Sequence, residues 1–135
     1  MPATFDDFFQ VATGKPQPYG YQCRLACGPD AKVDDPGTLK SGAICASKLI
    51  SIPTGLGKTA AVLLAWLWNR TVRGDESWPR RLVYCLPMRT LVEQTAGELE
   101  NCFENLRQNA DALDLSSEVR EQLDWLAIHS PVILM

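Results

Sequence analysis

Apolar positions along the chain first follow a helical period. Phe5, Phe8, Phe9 and Ala12 fall on one face of a predicted helix over residues 4–12, with Thr4 as its N-cap and Asp6 and Asp7 in its first turn. Gly14, Pro16 and Pro18 end it, and a second short helix is expected over residues 19–27. Residues 28–41 are polar, with Gly, Pro and Asp, and read as a loop. Residues 44–52 then form a short, largely apolar run, which predicts a buried strand, with a turn at 53–57. The Ala- and Leu-rich stretch 58–70 predicts a helix, 73–81 a polar loop, and 82–86 a second buried strand. A long helix over 90–108 carries Leu91, Val92, Thr95, Leu99, Phe103 and Leu106 on its inner stripe. A last helix over 116–127 turns Val119, Leu123 and Leu126 inward, and 131–135 reads as a third strand. Strands alternating with helices predict an α/β fold, a parallel sheet covered by helices on both faces.

Composition keeps this reading within ordinary bounds. The chain has 135 residues, 46% hydrophobic and 21% charged, the profile of one globular domain or part of one. Its longest apolar run, residues 60–68, is about half of the ~20 residues a membrane-spanning helix needs, and residues 1–7 do not resemble a signal peptide. A cytoplasmic location without membrane contact is therefore expected. The net charge of −3 hides an asymmetry: residues 1–92 are +4 and residues 93–135 are −7. The acidic half argues against a protein that coats nucleic acid generally, but leaves room for a local basic site on the first half. Five cysteines at irregular spacing make no disulfide framework, and Cys23 and Cys27 lack the further ligands of a metal site. Buried, reduced thiols are expected.

The chemistry concentrates where the first strand meets its helix. Ile52-Pro53-Thr54-Gly55-Leu56-Gly57-Lys58-Thr59 ends in the Gly-Lys-Thr of a phosphate-binding loop. Gly55 and Gly57 let the backbone wrap closely, so that its N–H groups point at phosphate oxygens. The helix N-terminus adds its positive dipole end. Lys58 reaches the β- and γ-phosphates as a mobile cation, and the Thr59 hydroxyl can ligate Mg²⁺. The general pattern has Gly where this chain has Ile52.

The loop and two further segments carry a resemblance. The loop wording, from Pro53 to Thr59, resembles that of superfamily 2 helicases. Pro18-Tyr19-Gly20-Tyr21-Gln22 resembles their glutamine motif, and Phe5 stands 17 positions before Gln22. Pro87-Met88-Arg89-Thr90-Leu91-Val92-Glu93-Gln94, after a strand, resembles their motif Ia. Together with Ala65-Trp66-Leu67-Trp68-Asn69-Arg70 and the run from Trp78, the wording is most similar to the CRISPR-associated helicase-nuclease of type I systems. The resemblance implies a RecA-like phosphate-loop domain using ATP and Mg²⁺. It implies that Gln22 recognises adenine, with Tyr19 beside the base and Phe5 either packed on it or simply a core residue, while Pro53, Thr54, Gly55, Leu56, Gly57, Lys58 and Thr59 hold the phosphates. Lys58 is the catalytic cation and Thr59 the metal ligand. Pro87, Arg89, Thr90 and Gln94 lie towards single-stranded DNA, and a CRISPR surveillance complex is an implied partner.

The same resemblance sets expectations about extent. Residues 1–42 form an N-terminal helical part carrying the glutamine motif, and 43–135 the first part of RecA-like domain 1, ending before motif II. There is no Asp-Glu-x-His or Asp-Glu-Ala-Asp box, so the chain reads as an N-terminal fragment, inactive alone. Two other readings stay open: another kind of phosphate-loop NTPase, and a non-enzymatic module that binds nucleotide or a partner without turnover. Trp66 and Trp68 are expected in the core, and His129 in a structural role near a helix end. Arg70, Arg73, Arg80 and Arg81 form a loose basic group, most simply solvated, with a DNA contact as the alternative. The acidic residues of 93–124 read as a solvent-facing surface.

Overall fold

The computed structural model describes residues 4–53, 57–85, 89–129 and 132–134. Six α-helices form in order: α1 (Phe5–Thr13), α2 (Gly20–Cys27), α3 (Pro36–Leu39), α4 (Lys58–Leu67), α5 (Arg89–Gln108) and α6 (Ser117–His129). There are also two strands among the described residues, β1 (Leu82–Tyr84) and β2 (Val132–Leu134). The caps follow the residues. Thr4 Oγ1 accepts the Asp7 N–H while the Asp7 carboxylate accepts the Thr4 N–H, and Gly14 closes α1 in the left-handed region at φ 76°. The stretch 28–41 is not all loop, because Asp35 caps the one-turn helix α3 through the Gly37 N–H.

The predicted helix over 58–70 changes character at its end. After Leu67 the chain widens into a π-helical turn, Trp68–Val72. Asn69 Nδ2 and Thr71 Oγ1 donate to the carbonyls of Ala65 and Leu67, each four residues back, at 2.8 and 2.6 Å. Side-chain donors at those carbonyls compete with the backbone ladder, which accommodates an extra residue per turn.

That turn organises the core. Trp68 meets the rings of Phe5 and Phe8 edge-on, at centroid separations of 5.7 and 5.5 Å, tying α1 to the end of α4. Both expected core tryptophans are buried, and each indole N–H has an acceptor: Trp66 to the Pro79 carbonyl and Trp68 to the Ser41 carbonyl. Asn69 is wholly buried; its Nδ2 also donates to the Ala26 carbonyl and its Oδ1 accepts the Ala43 N–H. With Arg73 on the Lys40 carbonyl and the Trp78 indole on the Ala43 carbonyl, four side chains hold the backbone of residues 40–43. α5 packs on α1, with Asn105 donating to the Ala12 carbonyl, and buries Thr95, Phe103 and Leu106. α6 buries Val119, Leu123 and Leu126, the predicted inner stripe.

The sheet is smaller than the pattern predicts. β1 and β2 pair in parallel, Leu82 with Val132 and Tyr84 with Leu134, as their positions on either side of helices require. The predicted strand over 44–52 does not form: those residues belong to no strand, and Leu49 is 96% exposed. A strand is stabilised only along a partner's edge, and residues 44–52 take neither outer edge of the β1–β2 pair. Fixed at 40–43, the chain instead runs past α2, where residues 48–52 face Tyr21, Arg24, Leu25 and Pro29 across an open cleft of about 410 Å³. Helices do not cover both faces of the strand pair either, since Val83 is half-exposed. The total accessible surface, 8050 Å², exceeds the roughly 7,000 Å² of a compact chain of this mass.

The cysteines divide as burial dictates. Cys23 and Cys27 lie buried on α2, whereas Cys45 and Cys85 are exposed. Burial pushes the thiols of Cys23, Cys27 and Cys102 up to about 11, 12 and 11 from an ordinary 9. An unfolded chain ionises these thiols near pH 9 while the folded chain keeps them neutral. Their contribution to stability is therefore intact below pH 9 and is lost as pH rises through 11 to 12. A denaturation midpoint followed from pH 8 to 11 should fall above 9. At pH 8 a thiol reagent should label Cys45 and Cys85 well before Cys23 and Cys27. Equal labelling of all four would contradict the packing of α2.

Candidate functional site

The site is built on two helix beginnings. At the first turn of α2, Gln22 reaches back so that its Oε1 accepts the Tyr19 N–H at 2.7 Å. This resembles the reciprocal half of a capping box and satisfies a donor that a helix start leaves unpaired. The other end of the same amide crosses to the second helix beginning. Gln22 Nε2 donates to the Gly57 carbonyl at 2.9 Å, joining residues 35 apart in the chain. The Gly57 carbonyl also accepts the Ala61 N–H at 2.9 Å, so both of its lone pairs are used.

Gly57 is the N-cap of α4 and sits in the left-handed region at φ 72° and ψ 40°. A side chain there is disfavoured by the backbone and has no room, because a Cβ would stand 2.6 Å from Gln22 Nε2. Immediately after it, Lys58 is exposed and Thr59 half-buried in the first turn of α4. The first N–H groups of a helix have no intrahelical acceptor, and the dipole favours an anion at that end. Backbone donors, a solvent-accessible ammonium and a hydroxyl thus share one helix entrance, a donor set suited to phosphate and to a hard cation bound with it. Thr54, Gly55 and Leu56 lie outside the described residues, and Pro53 before them is exposed.

The other expected site residues fall in different surroundings. Phe5 corrects an expectation: its ring is fully buried between Phe8, Phe9 and Trp68, leaving no face for a base. Tyr19 is half-exposed, its ring stacked on that of Tyr21 at 6.3 Å and 12°. Gln22 is only 1% exposed, with its amide turned inward to Tyr19 and Gly57. Arg89, Thr90 and Gln94 are all exposed in the first two turns of α5. Arg89 meets Glu93 at 3.7 Å with both side chains largely in solvent, a pair weak enough for a phosphate to displace. Pro87 lies outside the described residues.

Sequence reasoning did not single out Asn69. Its signal was present: an amide directly after the apolar run 60–68, where a helix interior offers no reason for one. Among the described residues no helix is long and apolar enough to cross a membrane.

Comparison with known proteins adds one finding. The family described as DEAD/DEAH box helicase matches residues 38–135, from α3 through the phosphate loop to the end of the chain. No curated protein and no solved structure shows a significant match. The family carries a RecA-like phosphate-loop fold, uses ATP, typically with Mg²⁺, and binds nucleic acid. Because the match spans well over half of the 135 residues and contains the Gly57-Lys58-Thr59 helix entrance described above, the chain belongs to the DEAD/DEAH box helicase family.

Proposed function

We propose that this chain is the ATP-binding portion of a superfamily 2 DNA helicase or translocase acting in CRISPR interference, with Gln22 and the loop 53–59 forming one nucleotide site. The observation that carries this reading is the Gln22–Gly57 hydrogen bond. It brings together the two segments that the resemblance assigns to opposite ends of one nucleotide. Lys58 neutralises the outer phosphates, the N–H groups at the start of α4 hold their oxygens, and Thr59 supplies one oxygen to Mg²⁺. Tyr19, beside Gln22 at the start of α2, lies on the base side. Contact between Gln22 and adenine requires its buried amide to turn outward, so nucleotide binding and the hold on Gly57 are coupled. Arg89, Thr90 and Gln94, at the exposed start of α5, face the phosphates of a single strand.

Metal-assisted hydrolysis also needs carboxylates that orient water and metal, and the 135 residues contain no Asp-Glu-x-His or Asp-Glu-Ala-Asp sequence. Turnover by this chain on its own should therefore be negligible, with or without single-stranded DNA.

The test is titration with a fluorescent ATP analogue and Mg²⁺, comparing the chain with Lys58→Ala. Saturable binding is expected, weakened at least ~10-fold by the substitution, because the ammonium makes charge-assisted hydrogen bonds to phosphate. Equal binding by both proteins would remove Lys58 from the site. Absence of binding by either would remove the site itself. Steady turnover by the unmodified chain would contradict the assignment of hydrolysis to residues outside it.

A further inference from the structure

Residues 44–52 have the make-up of a strand and the bonding of none. The run reads Ile-Cys-Ala-Ser-Lys-Leu-Ile-Ser-Ile, with one charge and no Gly or Pro. It belongs to no helix, turn or strand, and no hydrogen bond links its backbone to another described residue. Ile44 and Leu49 stand in solvent, whereas Ile50 and Ile52 are half-buried. Nine extended residues span about 30 Å, and an unpaired backbone of that length is a template for another chain.

The length of the run selects its partner. β1 and β2 are three residues long and leave the run aside within its own chain. Helix α2 meets only residues 48–52, across an open cleft. A second copy of the run matches it residue for residue. The run is also partly ordered in advance. Its start is fixed at 40–43 by Trp68, Asn69, Arg73 and Trp78, and beyond its end Gln22 holds Gly57. Pairing it therefore costs less entropy than pairing a free tail. The area agrees. The chain exposes 8050 Å², roughly 1,000 Å² more than a compact chain of its mass, and a standard interface takes about 800 Å² from each partner.

We propose that two copies of this chain associate through residues 44–52, paired antiparallel about a two-fold axis at Leu49. Such an axis makes one patch its own complement and closes the assembly at two. Leu49 then meets the partner's Leu49, Ser47 the partner's Ser51, and Ala46 the partner's Ile52. An axis at Lys48 would set two ammonium groups directly opposite, which is destabilising. At Leu49 the two ammonium groups are diagonal neighbours, and salt screens what repulsion remains. Neither Lys58 nor Thr59 takes part, so the proposal stands apart from the nucleotide site.

The test is sedimentation of the full chain, without nucleotide and under reducing conditions, over a ~100-fold range of concentration. The mass should rise from 15.0 kDa towards twice that value and stop there. Added salt should favour the dimer, the reverse of a complex bridged by nucleic acid. Leu49→Pro removes a ladder donor at the axis and breaks no hydrogen bond of the single chain, so it should abolish the dimer. Leu49→Lys should weaken it at least ~10-fold, and Leu49→Ile should retain it. Diluted to the monomer, these variants should unfold at the temperature of the unmodified chain. In a Cys45→Ser, Cys85→Ser background and with a mild oxidant, Leu49→Cys should form a covalent dimer much faster than Ser47→Cys. A monomer at every concentration overturns the proposal, as does a dimer indifferent to Leu49→Pro. Equal cross-linking at 47 and 49 overturns the axis. Growth past the dimer without limit also overturns the proposal, because it marks an unspecific edge and not a closed pair.

Discussion

Asn69→Ala should lower the stability of the fold by about 3–5 kcal/mol, the largest loss expected from any single truncation outside the aromatic core. The amide is fully buried and has three partners: the carbonyls of Ala26 and Ala65 and the N–H of Ala43. Ala65 O retains a backbone donor, the Trp68 N–H. Ala26 O and Ala43 N are left facing a small cavity, and each buried orphan costs about 1–3 kcal/mol. For a chain of this length the melting temperature should fall by roughly 10–20 °C. Asn69→Asp should be worse near neutral pH, because an anion would then face two carbonyl oxygens. It should recover part of its stability in acid, where the protonated carboxyl can donate one hydrogen bond. Calorimetry of both variants across pH checks this. A loss below about 1 kcal/mol for Asn69→Ala would show that the 40–43 backbone is held without it.

Gly57→Ala should abolish tight nucleotide binding while leaving most of the fold intact. Two costs fall on the same position. A non-glycine residue at φ 72° costs about 1 kcal/mol, and the new methyl would stand 2.6 Å from Gln22 Nε2. A flexible side-chain end usually moves aside cheaply. Gln22 moves only at a cost, because it is buried and both ends of its amide are hydrogen-bonded, to the Tyr19 N–H and the Gly57 carbonyl. Either the Gln22–Gly57 bond breaks or the entrance to α4 shifts, and both misplace the N–H groups that meet phosphate. The expected loss is ~10- to 100-fold in affinity for the ATP analogue, since a 1 Å misplacement of a positioned group can cost about that much. The pairing has its own check. If the clash dominates, Gly57→Ala combined with Gln22→Ala should be less destabilised than the two single changes summed. Strict additivity would mean that the two residues do not act on each other.

The two expected results concern one connected structure. Asn69 and its neighbours Trp68, Arg73 and Trp78 hold residues 40–43, from which the chain proceeds to the phosphate loop. Gln22 holds the far end of that loop at Gly57. The intervening residues 44–52 pair with no strand. The segments flanking the loop are thus held by two side-chain anchors, one on the turn that ends α4 and one on α2.

Much of the molecule follows from local pattern. Helix positions other than α3, the Thr4 cap, the buried Thr95, Phe103 and Leu106 of α5, the inward residues of α6, and the phosphate-loop wording were legible because each depends on a few neighbouring residues and a fixed period. The wide turn at Trp68–Val72 was not, since it arises from side-chain donors competing for particular carbonyls. The run over 44–52 has a strand's composition, yet strand formation depends on a partner edge that no local pattern encodes. Phe5 matched a motif offset, but the packing of α1 against Trp68 spent its ring on the core. The pairing of Gln22 with Gly57 and the hold of Asn69 on Ala26 and Ala43 join residues tens of positions apart. Sequence by itself determined which chemical groups stand at which spacing, because side-chain type and short spacing set what each group can do. Tertiary structure alone decided which of them meet, because that depends on how helices pack to bury their apolar faces and satisfy their buried polar groups.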